Sequence, residues 1–300
     1  MAIVVFDRRL EELVAPDAVP EQIGGGFRFT EGPLWNRREA ALIFSDLRAD
    51  AIYRWTEPDG AQIIRQPSGE ANGNTYDREG RLVSCEHANR RLSRTAANGA
   101  VETLVSHYEG RRLNSPNDVI CARNGDLVFT DPPYGLLQPD GSVRGQELPF
   151  HGLFRYAVAD GSLRLLADDF ERPNGLALSE DESLLYVADT QRGEVRAFDV
   201  AADGGLGGGR QFAVLRLGAT AGRPDGMKLD ALGNLYVAGG TPDGVWVFGP
   251  EGTLLGLIGV AEGPANLAWG GTEGRTLFLT ARTSLFRLAM RVQGQAVTAP

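Results

Sequence analysis

Short apolar runs separated by turn residues recur along almost the whole chain. Segments such as LIFSD, DLVFTD, LLYVAD and NLYVAG are rich in β-branched and aromatic side chains, which is typical of buried strands. Alternating strands follow them, and Gly-containing pairs that favour hairpins lie between the strands. These pairs are Asp59-Gly60, Asn98-Gly99, Asn124-Gly125, Asp160-Gly161 and Glu251-Gly252. The pattern predicts an all-β protein.

The strand pattern repeats six times. We call the residues at which the repeats begin the anchor column, and they are Glu31, Asn72, Asn117, Asn174, Asp225 and Ala265. Successive anchors are 41, 45, 57, 51 and 40 residues apart, and a four-stranded propeller blade needs about 40–50 residues. We therefore predict a six-bladed β-propeller with four-stranded blades around a central channel, in a single domain spanning residues 1–300.

The segments outside the regular repeat carry two further predictions. Residues 1–28 are predicted to form an N-terminal arm, in which PEQIGGGF (residues 20–27) supplies the outer strand of the sixth blade. Strands from both ends of the chain would then close the ring and remove a free sheet edge. GGLGGG (residues 204–209) is predicted to be a mobile surface turn in the fourth blade.

Polar side chains dominate the anchor column. Because the first strand of each blade begins beside the channel, equivalent residues of successive blades converge on the axis. Five of the six anchors carry carboxylate or carboxamide oxygens, which are ligands for hard divalent cations. Asn or Asp before Gly also favours a simple turn, but Glu31 is a poor turn former, and the polar run stops at Ala265 although the repeat continues. The column favours a cation site.

A second column of polar residues follows each third strand of the repeat. Its members are Asp46, Glu86, Asp131, Asp189, Gly239 and Ala281. Aspartate after an inner strand often caps a turn through backbone N–H groups, and we assign Asp46 and Asp189 to that role. Glu86 and Asp131 lie in the less regular segments CEHANRR and FTDPPYG, so both stay candidates for catalysis.

Six motifs, in order, give the chain a family resemblance. FTEGPLW, CEHANRRL, LNSPNDVI, FTDPPYG, RPNGLALS and RPDGMKLD resemble the gluconolactonase branch of the senescence marker protein (regucalcin)/gluconolactonase family. The resemblance implies a divalent cation at the channel mouth, with Glu31, Asn174 and Asp225 as ligands. It implies that Asn117 contacts the metal or the substrate. Regucalcin-like members have an arginine two residues before that asparagine, where this chain has Ser115.

The predicted reaction is hydrolysis of an aldonolactone, such as gluconolactone, to its open acid. The cation would act as a Lewis acid on the lactone carbonyl, and a nearby carboxylate would activate the attacking water. Asp225 is the first candidate for this catalytic base because related members assign its counterpart such a role. Glu86, Asp131 and His87 are its rivals.

Four residues are predicted to bind the substrate. Asn72 and Asn117 are candidates to bond sugar hydroxyls, and His87, near a strand end, is a further candidate. Tyr134 is a candidate to stack on the sugar ring. It belongs to an insertion, residues 132–152, whose length suggests a lid over the channel mouth.

Alternatives remain for the ion and for the function. Ca²⁺ is the favoured ion, because the anchors are oxygen donors and include no His or Cys, and Mg²⁺, Mn²⁺, Fe²⁺ and Zn²⁺ are the alternatives. The same column would suit an organophosphate or aryl-ester hydrolase. It would also suit a non-catalytic propeller that binds metal or a partner on its face.

Composition narrows the partners. Thirty Lys and Arg against 39 Asp and Glu give a formal charge of −9, which argues against nucleic acid because that partner needs clustered cations. No apolar run approaches the roughly 18 residues of a membrane-spanning helix, and the first residues lack the pattern of a signal peptide. We expect a cytoplasmic monomer or weak homo-oligomer whose partner is a small sugar lactone, not nucleic acid or a membrane.

Overall fold

The computed structural model describes residues 3–240 and 244–295, and nearly all of their regular elements are strands. The chain begins with the strand β1 (Ile3–Val5), the short helix α1 (Arg9–Leu13) and the strand β2 (Glu21–Gly25). No helix among these residues is long and apolar enough to cross a membrane.

The first three blades are four-stranded antiparallel sheets. Blade one contains β3 (Thr30–Asn36), β4 (Ala41–Asp46), β5 (Ala51–Thr56) and β6 (Gly60–Arg65). Blade two contains β7 (Ala71–Tyr76), β8 (Leu82–Glu86), β9 (Arg91–Thr95) and β10 (Val101–Val105). The hairpin β11 (His107–Tyr108) and β12 (Arg111–Arg112) leads to blade three, which contains β13 (Val119–Cys121), β14 (Leu127–Asp131), β15 (His151–Tyr156) and β16 (Leu163–Phe170). Two 3-10 turns, Leu47–Ala49 and Tyr134–Leu136, follow β4 and β14.

The remaining blades continue the same order. Blade four contains β17 (Pro173–Leu178), β18 (Leu184–Asp189), β19 (Glu194–Val200) and β20 (Leu206–Val214). After the hairpin β21 (Arg216–Leu217) and β22 (Thr220–Ala221), blade five contains β23 (Arg223–Leu229), β24 (Leu235–Gly240), β25 (Gly244–Phe248) and β26 (Leu254–Gly259). Blade six contains β27 (Pro264–Gly270), β28 (Thr276–Ala281) and β29 (Ser284–Ala289).

The N-terminal strands complete the last two blades. β2 pairs antiparallel with β29, with Glu21 opposite Arg287, and becomes the fourth strand of blade six. β1 pairs with β26 and adds a fifth strand to blade five, which the repeat did not predict. The described residues thus form six blades in a ring, and the predicted six-bladed β-propeller is confirmed.

Apolar side chains pack between neighbouring blades. The second strand of each blade is short and almost wholly buried, because both of its faces contact adjacent sheets. One cluster joins blades five and six and includes Tyr236 and Leu279, and it also takes Leu10 from α1. The hydrophobic core is therefore distributed between the blades around the ring. The first strand of each blade lies beside the axis.

The turns follow the glycine pattern with one exception. Gly125 and Gly252 adopt φ angles of 94° and 85°, which suit glycine at hairpin turns. GGLGGG was predicted to be a mobile surface turn, but its last four residues are part of β20, where Gly207 lies opposite Asp199 of β19. The backbone hydrogen bonds of an outer strand hold these glycines in place.

Candidate active site

One mouth of the channel opens into a cavity of about 410 Å³. This volume lies in the range of small-molecule sites. Because the first strand of each blade begins here, the anchor column lines the cavity together with loops from the same end. The seven residues predicted to bind metal or substrate all line it, namely Glu31, Asn72, His87, Asn117, Tyr134, Asn174 and Asp225.

Three asparagines of the anchor column form a hydrogen-bonded arc. Asn72 Nδ2 donates to Asn117 Oδ1 at 2.8 Å, and Asn117 Nδ2 donates to Asn174 Oδ1 at 2.6 Å. Asn174 Nδ2 then donates to Thr190 Oγ1 at 3.0 Å and to the Tyr134 hydroxyl at 3.4 Å. Each carboxamide oxygen has two lone pairs, so Asn117 and Asn174 each keep one for a further ligand.

Glu31 reaches the cavity from β3 and is almost fully buried. Its Oε2 atom accepts hydrogen bonds from the Gly32 backbone N–H at 2.8 Å and from Asn266 Nδ2 at 3.2 Å. Burial raises the pKa of Glu31 to about 7, and the negative charge of Asp118 raises it as well, against these two hydrogen bonds. The protein environment thus disfavours the negative charge of the Glu31 carboxylate unless a cation lies beside it.

Asp225 is the second carboxylate of the cavity. It lies on β23 and keeps part of its surface open to the cavity. Burial, and then the charge of Glu31, raise the pKa of Asp225 well above its usual value, while a hydrogen bond with Asn174 lowers it. None of the ion pairs within residues 3–240 and 244–295 includes Glu31 or Asp225.

These donors fit a hard divalent cation. Two carboxylates that repel each other at the base of a cavity are stabilised when a cation lies between them, and Asn117 and Asn174 add neutral oxygens. The described part of the chain holds no group of three or more His, Cys, Asp or Glu side chains arranged for a metal. The candidate site is therefore a mixed carboxylate and carboxamide site, which suits Ca²⁺ better than Zn²⁺.

His87 follows β8 and contacts the arc of asparagines. Its Nε2 atom lies 3.3 Å from Asn72 Nδ2. Burial lowers the pKa of His87 to about 4, so the imidazole is neutral at physiological pH.

The residues directly after the anchors form a layer beneath the cavity. They are Gly32, Gly73, Asp118, Gly175, Gly226 and Asn266. A Cβ atom at Gly226 would lie 2.0 Å from Asn266 Cγ, so this glycine gives Asn266 its space. Asp118 and Asn266 come from blades three and six, and both are buried. The side chains of Asp118 and Asn266 occupy the space on the axis beside glycines, which have no side chain there.

A second cavity, of about 140 Å³, lies at the opposite mouth of the channel. The ends of the first strands line it, with Trp35, Ile120 and Trp269 among the apolar side chains and Lys228 among the polar ones. No described residue lines both cavities. The layer that contains Asp118 and Asn266 therefore separates the two mouths.

Asp131 does not line the cavity, although it was a candidate for catalysis. The second column lies at the end of the second strand of each blade, not after the third strand as predicted. Asp131 Oδ2 accepts from the Asn114 backbone N–H at 2.7 Å. Asp46 and Asp189 bond equivalent backbone N–H groups of blades one and four. Asp131 thus holds the loop before β13.

Glu86 also lies outside the cavity lining. Its buried carboxylate forms ion pairs with Arg65 and Arg91, and Asn89 Nδ2 donates to its Oε2 atom at 2.6 Å. Burial by itself would raise the pKa of Glu86, but the hydrogen bonds, led by the one from Arg91, outweigh burial and lower it. The contacts of Glu86 are those of a structural ion pair.

Several cavity residues escaped the sequence patterns. The residue directly after the second column lines the cavity in five blades, as Leu47, His87, Thr190, Gly240 and Arg282. Only His87 was singled out before. These residues form a column of their own, one position after the second column. Their residue types differ too much to indicate a common chemistry from the sequence.

The comparisons with known proteins now decide the family. Residues 29–283 match the family described as SMP-30/Gluconolactonase/LRE-like region. The chain belongs to this family. It is 33% identical to a gluconolactonase of Zymomonas mobilis, over 97% of this chain and 87% of that protein. It is 27% identical to a 6-deoxy-6-sulfogluconolactonase of Pseudomonas putida, over 83% of this chain and 82% of that protein. A solved gluconolactonase of Xanthomonas campestris superposes with a TM-score of 0.88 at 35% identity, over 97% of this chain and 95% of that one.

Within the SMP-30/gluconolactonase family, this chain departs from the regucalcin-like pattern at Ser115. Ser115 Oγ donates to the Pro132 carbonyl at 2.6 Å and accepts from the Gly135 backbone N–H at 2.9 Å. These bonds fix the start of the insertion and turn Tyr134 into the cavity. Ser115 thus positions a loop and supplies no charge.

Proposed function

We propose that the protein is a divalent-cation-dependent lactonase that opens a sugar aldonolactone to its acid. Membership of the SMP-30/gluconolactonase family over residues 29–283 supports lactone hydrolysis. One observation carries the cation. Glu31 and Asp225 are neighbouring carboxylates at the channel mouth, and no described cationic side chain forms an ion pair with either.

Four residues would hold the cation. They are Glu31, Asn117, Asn174 and Asp225, and Ca²⁺ is favoured because all four are oxygen donors. When bound, the cation supplies Lewis acidity that polarises the lactone carbonyl.

Asp225 is the proposed base. Its carboxylate takes a proton from water as the water oxygen bonds to the carbonyl carbon, and the ring C–O bond then breaks. The same proton passes to the departing ring oxygen, which becomes a hydroxyl group. The product is a hydroxy acid, and Asp225 returns to its starting state.

The remaining polar residues of the cavity orient the sugar. Asn72 and Asn117 would bond sugar hydroxyls, and their position in the cavity lining supports this role. His87 contacts Asn72 and, being neutral, holds that side chain without adding charge. The Tyr134 ring also lines the cavity and offers an apolar face for the sugar ring.

The proposal is tested by a lactone assay on metal-stripped protein. Glucono-1,5-lactone turnover should be lost with a chelator and return with added Ca²⁺. Glu31→Gln and Asp225→Asn should each lower kcat/KM by about 100-fold or more and weaken Ca²⁺ binding measured by calorimetry. Glu102→Gln, an exposed carboxylate of β10, is the matched control. Full activity of both variants in the absence of metal would overturn the proposal.

Assays with other substrates, and melting temperatures with and without Ca²⁺, separate the alternative functions. A clear preference for paraoxon or an aryl ester over sugar lactones would indicate an organophosphate or aryl-ester hydrolase. A melting temperature that rises with Ca²⁺, without turnover of any lactone, would indicate a non-catalytic propeller that binds metal.

A further inference from the structure

Three arginines line the same cavity as the proposed metal ligands. Arg48 belongs to the 3-10 turn after β4, Arg223 begins β23, and Arg282 lies in the turn between β28 and β29. All three are exposed residues, whereas Glu31 is buried. The guanidinium groups therefore lie where solvent and substrate reach the cavity.

The charges of the cavity lining do not balance once a cation is bound. A divalent ion would offset Glu31 and Asp225, and Arg48 and Arg223 would then leave a positive surplus. Arg48 and Arg223 form no ion pair with a described residue, although many other arginines of the chain do. On a chain of net charge −9, unpaired arginines at the mouth of a cavity favour an anionic ligand there.

Aromatic rings support the guanidinium groups at this end of the channel. Arg48 Cζ lies 5.4 Å from the centre of the Phe29 ring, and Phe29 lines the cavity. Arg172 Cζ lies 5.9 Å from the centre of the Tyr134 ring. A guanidinium over an aromatic face is stabilised there and keeps its N–H groups for another partner.

We propose that the natural substrate is a sugar lactone with a negatively charged substituent at the end remote from its carbonyl, and that Arg48 and Arg223 bind this group. This inference rests on the proposed function, because it needs the lactone carbonyl at the carboxylate end of the cavity. Phosphate, sulfonate and carboxylate share the required chemistry, since each accepts paired hydrogen bonds from a planar guanidinium. A neutral sugar would use the asparagines and leave the arginines without a role.

Steady-state kinetics with matched lactones test the inference. The probes are glucono-1,5-lactone, 6-phosphogluconolactone and 6-deoxy-6-sulfogluconolactone, each at low and at high ionic strength. We expect kcat/KM for both charged lactones to exceed the neutral value by at least tenfold at low salt, and salt to narrow this ratio because it screens exposed charges. An equal or higher kcat/KM for the neutral lactone at every salt concentration would overturn the inference.

Variants then assign the preference to the arginines. Arg48→Gln and Arg223→Gln should each lower the charged-to-neutral ratio of kcat/KM by about tenfold, the scale of one charge-assisted contact. Arg38→Gln changes the charge equally in the loop between β3 and β4, outside the cavity lining, and should leave the ratio unchanged. If the charged-to-neutral ratio of kcat/KM fell equally in all three variants, the net charge of the protein would explain the preference. That result would contradict the proposal.

Binding of the acid products separates this inference from the proposed function. Calorimetry with 6-phosphogluconate and gluconate measures the same discrimination without turnover. Tighter binding of 6-phosphogluconate that weakens in Arg48→Gln, without hydrolysis of any lactone, would support anion binding by the arginines and reject the lactonase. Turnover of glucono-1,5-lactone with equal binding of the two acids would keep the lactonase and reject the anionic substrate.

Discussion

Asn266 connects the layer beneath the cavity to the proposed metal site. Its Nδ2 atom donates to Glu31 Oε2 at 3.2 Å, and its Oδ1 atom accepts from the Leu267 backbone N–H at 2.8 Å. The backbone bond fixes the carboxamide, and Gly226 leaves the space that it occupies. Asn266 therefore orients Glu31, as outer partners do for many metal-binding carboxylates.

Asn266→Ala should weaken Ca²⁺ binding by about tenfold. The expected cause is a Glu31 carboxylate that loses its side-chain hydrogen bond and gains freedom to rotate. Calorimetric titration of metal-stripped protein gives the affinity, and Asn98→Ala in an exposed turn serves as the control. Unchanged affinity would show that the Gly32 backbone bond orients Glu31 alone.

Glu86 offers a stability prediction at the same scale. Glu86→Gln should lower the free energy of unfolding by about 3 kcal/mol, because Arg65 and Arg91, both mostly buried, would lose the carboxylate that offsets their charges. The kcat of the folded variant should match the parent. Urea titrations give the stability, and a large loss of kcat with unchanged stability would return Glu86 to the catalytic candidates.

The pH dependence of this contribution follows from the sign of the shift. The pKa of Glu86 is lower in the folded chain than its usual 4.5, so the ion pairs stabilise the fold fully above that pH. The contribution is lost as the pH falls through the folded-state pKa. The difference in stability between Glu86→Gln and the parent should therefore shrink in urea titrations below pH 4.5.

The sequence predicted the residues of the cavity that repeat in register with the blades. The anchor column led to Glu31, Asn174 and Asp225 because every blade starts at the same end of the channel. Thr190 was missed because the column directly after the second one shares no residue type, and Arg48 was missed because it lies in a 3-10 turn outside both columns. Asn266 was missed because it follows Ala265, where the polar column seemed to end.

The N-terminal elements show how far the repeat explains the architecture. The repeat predicted the outer strand of blade six from residues 20–27, where β2 lies. It did not predict β1, because a three-residue strand carries no periodic signal and depends on the exposed edge of β26. α1 packs beside this addition, with Leu10 fully buried.

Leu10→Ala should lower the free energy of unfolding by about 3 kcal/mol. The substitution opens a cavity among side chains of blades five and six, and large-to-small changes at such sites cost about 2–5 kcal/mol. Urea denaturation measures the loss. Glu11→Ala, at an exposed site of the same helix, is the control, and an equal effect of both changes would contradict a stabilising role for the burial of Leu10.

Closure of the ring joins the two ends of the chain. β2 pairs with β29, and Arg287 of β29 also forms ion pairs with Glu21 and with Glu57 of blade one. The repeat alone predicted six blades, because a blade-length period with inner-strand patterning fits a ring of antiparallel sheets. The contacts of closure depend on side chains that are distant in sequence and were not predicted.

Removal of residues 1–28 should lower the melting temperature and promote self-association. The truncated chain would expose the edge of β29, whose free N–H and C=O groups can pair with another molecule. Calorimetry and light scattering measure the two effects. Arg287→Met is the control, because it removes partly exposed ion pairs worth less than about 1 kcal/mol and keeps β2. A truncated chain that melts like the parent and stays monodisperse would contradict closure by β2.

The layer formed by Asp118 and Asn266 also decides how molecules travel through the propeller. The two cavities share no described lining residue, and the buried Asp118 and Asn266 lie between them, so we expect a ligand to enter the metal-site cavity from one mouth only. Under the proposed function, the lactone enters and the acid leaves through the same cavity mouth. Lactone and acid therefore compete for one binding site. Turnover at high acid concentration is then limited by departure of the acid, and the acid inhibits competitively against the lactone.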